Sequence, residues 1–111
     1  KNLLEFWEAQ MNQSHRSSNY FFRKSPSHYH MMLLVMSAQK SEEDLSVEEL
    51  KTKLFKTSRP KSAIIITEAV EKGFFKLEKT SHDQRKKFIR PTDSFTKEFD
   101  DYIITLKSLV L

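Results

Sequence analysis

The sequence predicts a mainly α-helical fold carrying one small β-hairpin, an α+β class, on three observations. Apolar residues recur at steps of three and four over 2–13, 26–39, 47–54, 58–72 and 93–110. Two short segments, 74–79 and 87–90, have the aromatic and branched content of strands, and a charged, turn-rich stretch joins them. The only glycine, Gly73, stands between the last middle helix and the first strand, where a left-handed residue ends a helix. Short helix, tight turn, second helix, strand, turn, strand is the layout of a winged helix-turn-helix, a fold that holds duplex DNA.

The 111 residues suffice for a single domain, 1–111, with one modest core. Its winged centre is expected over 26–92, flanked by helical segments at 1–24 and 93–111. A hydrophobic fraction of 38% and a charged fraction of 31% fit a helix-rich chain, and one glycine with three prolines argues against a sandwich or a collagen-like chain. There is no cysteine, which excludes disulfides, zinc fingers and thiol redox sensing and fits a reducing compartment, the cytoplasm. No apolar run approaches the roughly 20 residues that cross a bilayer; MMLLVM at 31–36 is far too short, so no membrane association is expected.

Charge is unevenly spread. Between Lys51 and Arg90 there are twelve basic residues against four acidic ones, a net +8, and the remainder carries −4. A basic middle between acidic ends is the footprint of a polyanion-binding face, although a solvated lysine-rich surface is the commoner origin of such counts.

Each element has its own signals. In 2–13, Leu4, Trp7 and Met11 recur at helical spacing with Leu3 and Phe6 beside them. Two arrangements fit the next stretch: the first helix continues, or Ser14 to Asn19 form a loop before Tyr20-Phe21-Phe22 anchors the chain. Ser25-Pro26 is a capping serine with proline at the first helical position. The helix after it carries Tyr29, Met32, Leu33 and Met36 as its stripe, widened by Leu34 and Val35. Ser46 and Glu49 form a capping box ahead of Val47, Leu50 and Leu54. Thr57 or Ser58 caps the following helix, in which Ile65, Ile66, Ala69 and Val70 face inward and Ile64 is left near the exposed side. Pro91 ends the second strand because it cannot donate to the ladder. Thr92 or Asp93 then caps a last helix with the stripe Phe95, Phe99, Tyr102, Ile103, Leu106 and Val110.

For DNA contact, the helix from Ser58 enters the major groove by its N-terminal half. Arg59 and Lys61 reach guanine edges or phosphates, and Thr57, Ser58 and Ser62 hydrogen-bond phosphates. Arg85, Lys86 and Lys87 lie along the backbone or in the minor groove; a charged hairpin edge that discourages aggregation is the plainer reading of those lysines. Read from the residue alone, Asp83 is a turn residue satisfying its own backbone. Ile64 in this helix either touches thymine methyl groups or leaves specificity to Arg59, Lys61 and the hairpin. An enzyme is not expected. His15, His28, His30 and His82 are scattered, no metal site is formed, and there is no HExxH, glycine-rich phosphate loop or nucleophile elbow. No cofactor is implied. The competing reading from another class is a winged helix used for protein contacts, which an exposed Ile64 favours and the basic middle opposes.

Residues Pro26 to Phe95 resemble the MarR family of winged-helix transcription regulators. The most specific piece is Asp83-Gln84-Arg85-Lys86-Lys87-Phe88-Ile89-Arg90-Pro91-Thr92, which looks like the family's wing signature. LSVEEL resembles its positioning helix and AVEKGFF the end of its recognition helix. The chain departs from the pattern at Pro91 (usually leucine), at Phe95 (usually glycine), at Ile64 (often polar or basic) and at Ser62 (commonly apolar). The resemblance implies a transcriptional regulator acting as a homodimer on a pseudo-palindromic duplex site, with the terminal helices intertwined. Leu4, Trp7, Met11, Phe99, Tyr102, Ile103, Leu106 and Val110 are the expected dimerisation residues, and their apolar surface supports pairing independently. It also implies that Asp83 braces Arg59 or Arg85. A small anionic aromatic effector is a further partner the resemblance allows, with Tyr20, Phe21, Phe22, Arg23 and His28 as candidate lining; ordinary packing at the dimer junction is the plainer reading of those residues.

Overall fold

The computed structural model describes residues 3–11, 18–79 and 85–110, and among them are six helices and one hairpin. Helix α1 (Leu3–Met11) is followed by a separate short helix, α2 (Ser18–Phe22), whose Phe21 and Phe22 are buried. That decides between the two arrangements left open for this stretch: the aromatic residues anchor the chain from a helix of their own.

Helix α3 (Pro26–Lys40) begins as the Ser25-Pro26 pair predicts, with Ser25 Oγ accepting from the His28 N–H. Its buried stripe is His28, Met31, Met32, Val35 and Met36. Leu33, expected inward, is exposed. A step of 100° per residue carries Leu33 off the i, i+3, i+4, i+7 line that Met31 and Met32 define.

Helix α4 (Val47–Lys53) carries the full capping box: Ser46 Oγ accepts from the Glu49 N–H while Glu49 Oε1 accepts from the Ser46 N–H. Leu50 and Leu54 are buried beneath it. After the turn, Ser58 rather than Thr57 caps α5 (Arg59–Glu71), and Ile65, Ile66 and Ala69 enter the core. The helix ends in a Schellman arrangement. Gly73 sits at φ +82°, its N–H donates to Val70 O, and the Phe74 N–H donates to Ala69 O.

The wing is an antiparallel pair, β1 (Phe75–Lys79) and β2 (Lys87–Pro91), in register from Phe75 opposite Pro91 to Lys79 opposite Lys87. A third piece of chain closes the outer edge of β2: the Ile89 N–H donates to Leu45 O at 2.9 Å, and Ser46 bridges Phe88. Arg90 binds both Asp44 and Glu78, tying that same edge together. Thr92 then links the end of α5 to the last helix, α6 (Asp93–Val110). Its Oγ1 donates to Gly73 O at 2.7 Å and accepts from the Phe95 N–H, so Thr92, not Asp93, is the cap.

The core lies where α2, α3, α5, the base of the wing and the start of α6 meet. Its centre is aromatic: Phe22, Phe74, Phe75 and Phe95 stack at ring-centroid distances between 5.1 and 6.0 Å. No helix among the described residues is long and apolar enough to cross a membrane.

Candidate nucleic-acid interface

Two elements carry the basic face, and the fold fixes both to the same core. The buried side of α5 is Ser62, Ile65, Ile66 and Ala69, which turns Arg59, Lys61, Ile64 and Thr67 outward. The wing presents Arg85, Lys86 and Lys87, all exposed. Between them lies a groove of about 600 Å³ with Val47, Ile66, Val70 and Leu77 among its walls and Lys51, Lys86 and Lys87 at its rim. The Lys86 ammonium also lies over the Phe88 ring, 5.7 Å from its centroid, a cation–π contact at the exposed edge of the wing.

Arg59 is exposed, but its guanidinium is held by Glu48 of α4 at 2.5 Å. Glu48 also meets Lys51 at 3.2 Å, and these hydrogen bonds and charges, Lys51 first, lower its carboxyl below the usual range. Glu49 is lowered as well, chiefly because the Ser46 backbone N–H donates to it. The brace on Arg59 is therefore Glu48, a residue whose place in the sequence suggests only the capping segment at the start of α4. Its spacing to Lys51 was visible in the sequence; its approach to Arg59 across the turn was not. The expected brace, Asp83, lies outside the described residues.

Two expected contacts sit differently from the prediction. Ser62 is 0% exposed, with its Oγ buried and without a hydrogen-bond partner, so it faces the core and not a phosphate. The cause is helical phase: Ser62 lies three and four residues before Ile65 and Ile66 and shares their face. The hydroxyl of Thr57 is engaged by Ser27 Oγ of α3 at 2.6 Å and is half-buried. Ser58 is exposed, and its Oγ accepts from the Lys61 N–H as the helix cap.

The expected pairing surface is divided too. Leu4 is 66% exposed and Trp7 51% exposed, and Leu3 and Ile104, which were not on the expected list, are exposed as well. Phe99 is instead buried within the chain against Phe95, a correction that follows from its position one turn after that ring. Tyr102, Ile103 and Leu106 are half-buried. The side chains of Met11 and Val110 lie outside the described residues.

A cavity of about 520 Å³ opens between α1, α2, α3 and α6. Phe6, Trp7, Phe22, Tyr29, Met32 and Tyr102 give it apolar walls, and Arg23 and Lys24 bring positive charge. Tyr20, Phe21 and His28 are not among its walls. The Arg23 guanidinium lies 5.9 Å from the Trp7 ring and 6.0 Å from the Tyr20 ring, and its buried Nη1 has no hydrogen-bond partner. The lining includes no carboxylate among the described residues. Tyr102 and Tyr29 share a hydrogen bond at 3.0 Å; burial, then that bond, pushes the Tyr102 phenol well above its ordinary range. His28 packs edge-on against Phe21 and pairs with Ser25 Oγ at 2.7 Å. Burial lowers its pKa, against an opposing pull from Glu68. Among the described residues no group of three or more His, Cys, Asp or Glu side chains is placed to hold a metal ion.

The arrangement of α4, α5 and the wing is a winged helix-turn-helix. Its likeness to solved structures extends over nearly the whole chain and identifies the fold as that of the MarR-type winged-helix regulators. MepR of S. aureus in its DNA-binding conformation matches with a TM-score of 0.58 and 19% identity, covering 96% of this chain and 80% of that one. The S. aureus MepR–DNA complex matches at 0.57 with 18% identity, over 96% of this chain and 89% of that one. The heme sensor PefR from Streptococcus agalactiae, in complex with heme, matches at 0.59 with 17% identity, over 97% of this chain and 76% of that one. No family model matches the sequence, and no curated protein does either.

Proposed function

We propose that this protein is a cytoplasmic, sequence-specific regulator of transcription that binds double-stranded DNA as a homodimer on a pseudo-palindromic site. The observation that carries the reading is the placement of cations: Arg59 and Lys61 on the outward side of α5 and Arg85, Lys86 and Lys87 on the wing. A helix and a hairpin projecting from one core can straddle a groove and its phosphates. The fold shared with a protein solved on DNA supports the same reading. In the homodimer, the exposed Leu4, Trp7 and Ile104 of the terminal helices pair between protomers, while residues 26–92 form the DNA-holding unit.

The cavity at Arg23 serves an effector. Its apolar walls and the unpartnered Nη1 of Arg23 suit a small aromatic carboxylate, with the ring against Trp7 and Tyr102 and the anion at Arg23.

A duplex shift titration over a series of salt concentrations tests the DNA reading. Four or five phosphate-facing cations per protomer predict, for a dimer, a slope of log K on log salt of roughly −7 to −9. Doubling the salt then weakens binding roughly one hundred- to five hundredfold. Two chains per duplex in sedimentation is the expected stoichiometry. Absence of salt-sensitive duplex binding at low ionic strength would sink this reading and leave the exposed Ile64 to a winged helix used for protein contacts.

A further inference from the structure

The three consecutive isoleucines of α5 divide between two environments. Ile65 and Ile66 are in the core, whereas Ile64 is 60% exposed in the middle of the helix's outward face. Lys61 stands three residues before it and Thr67 three residues after it, both exposed and on the same side. Around this face lie the chain's densest positive charges, from Lys51 through Arg90.

Neither the fold nor the helix asks for an aliphatic side chain here. Ile64 buries little surface, and a β-branched residue is a weaker helix former than the lysine, glutamate or alanine that usually fills such a position. The neighbouring outward residues carry charge or a hydroxyl; Ile64 offers only methyl and methylene groups. In the major groove the apolar feature that distinguishes one base from the others is the C5-methyl of thymine.

Position along the helix agrees. Ile64 is five residues beyond Arg59 in α5, a rise of about 8 Å along the axis at 1.5 Å per residue. The major groove is about 12 Å wide and admits an α-helix. With the N-terminal half of α5 in the groove, Arg59 and Lys61 reach guanine edges or phosphates, and Ile64, on the outward side of the helix, faces the base edges one turn further along.

We infer that Ile64 is a specificity-determining contact that reads a thymine methyl in each half of the duplex site; the inference rests on the DNA-binding reading above. It commits the site to thymine opposite the middle of α5, on the strength of an apolar contact and not of a hydrogen bond.

The wild-type protein is first used to select duplexes from a random-sequence pool. Each thymine of the selected duplex is then replaced in turn by deoxyuridine, which removes the methyl and nothing else. The expected result is about a fourfold loss of wild-type affinity at one thymine per half-site, the worth of one apolar carbon removed from water. Ile64→Ala is expected to be indifferent to that replacement, to melt like the wild type and to keep its salt slope. Ile64→Val, which retains both branches at Cβ, is expected to keep the preference for thymine. Wild-type binding unchanged by deoxyuridine at every position overturns the inference. So does a thymine preference that survives in Ile64→Ala, because another side chain then reads the methyl. Both outcomes leave the DNA-binding reading standing, whereas a wild-type protein that selects no duplex overturns that reading and this inference with it.

Discussion

Phe95 stands where the resemblance leads one to expect glycine, and the structure places its ring at the junction of three elements. It is buried, with Phe22 at 5.1 Å, Phe75 at 5.8 Å, Phe74 at 6.0 Å and Phe99 at 6.2 Å between ring centroids. Those partners belong to α2, to the strand at the wing's base and the residue before it, and to α6 itself. Phe95→Ala removes the ring and leaves a void that cannot close, because the walls are held by separate hydrogen-bonded elements. Truncations of this kind cost about 3–5 kcal/mol, and the lost ring–ring geometry adds about 0.5–1.5 kcal/mol per well-set pair. A loss of about 4 kcal/mol is expected, which for a chain of this size lowers the melting temperature by about 15 °C. Phe95→Leu, which refills most of the space, should cost about 1 kcal/mol. Urea unfolding at one fixed protein concentration reads both, with the slope unchanged if only the folded state is affected. A loss below about 1 kcal/mol for Phe95→Ala, at unchanged slope, would refute the enclosed ring and with it the account of how α6 is fixed to the wing.

Other substitutions separate core from surface and reading from anchoring. Ser62→Ala should stabilise the protein by about 1 kcal/mol, since it removes a buried hydroxyl that has no partner, and leave duplex affinity unchanged; a fall in affinity would return Ser62 to the interface. Burial depresses the pKa of His28, so the neutral ring's contribution is present above its unfolded value of about 6.5 and is lost as pH falls through the lower folded value. Between pH 8 and 5 the wild type should therefore lose stability relative to His28→Gln as pH drops below about 6.5, and a stability difference that stays flat with pH counts against a neutral buried ring. Arg59→Ala should reduce discrimination between duplexes, whereas Lys87→Ala should weaken all duplexes alike and make the salt slope shallower by about 1 per protomer. Equal loss of discrimination from both would reverse the assignment of reading and anchoring.

The helices and the hairpin were legible because their ends are chemically marked. Ser25-Pro26, the Ser46 and Glu49 box and Gly73 each supply or accept a hydrogen bond that the helix end otherwise lacks, and each does so in the structure. Facing was less legible where apolar residues run consecutively. In MMLLVM no polar residue marks the solvent side, so the assignment of Leu33 to the core went against the phase that Met31, Met32 and Val35 set together. Ser62 is the converse case. A hydroxyl beside Arg59 and Lys61 reads as a phosphate ligand, yet its phase with Ile65 and Ile66 puts it inside. Periodicity decided correctly at that position, and residue chemistry did not.

Arg59 shows why the interface was less legible than the fold. Its arginine type and its place at the start of α5 point to an anion, and neither tells what holds the side chain before an anion arrives. The structure supplies Glu48, eleven residues back and across the turn between α4 and α5. Both side chains are exposed, and a pair of this kind is screened by water and salt and only weakly stabilising. That is too little to hold Arg59 against a phosphate or a guanine edge, either of which can take the guanidinium in a bidentate, charge-assisted geometry. It is enough to keep a long, flexible side chain near its working position on the outward side of the helix. On the DNA-binding reading, Glu48 thus limits the conformational entropy that Arg59 loses on binding without competing for it. The acidic residue in the middle of the basic face then has a role that its charge alone would argue against.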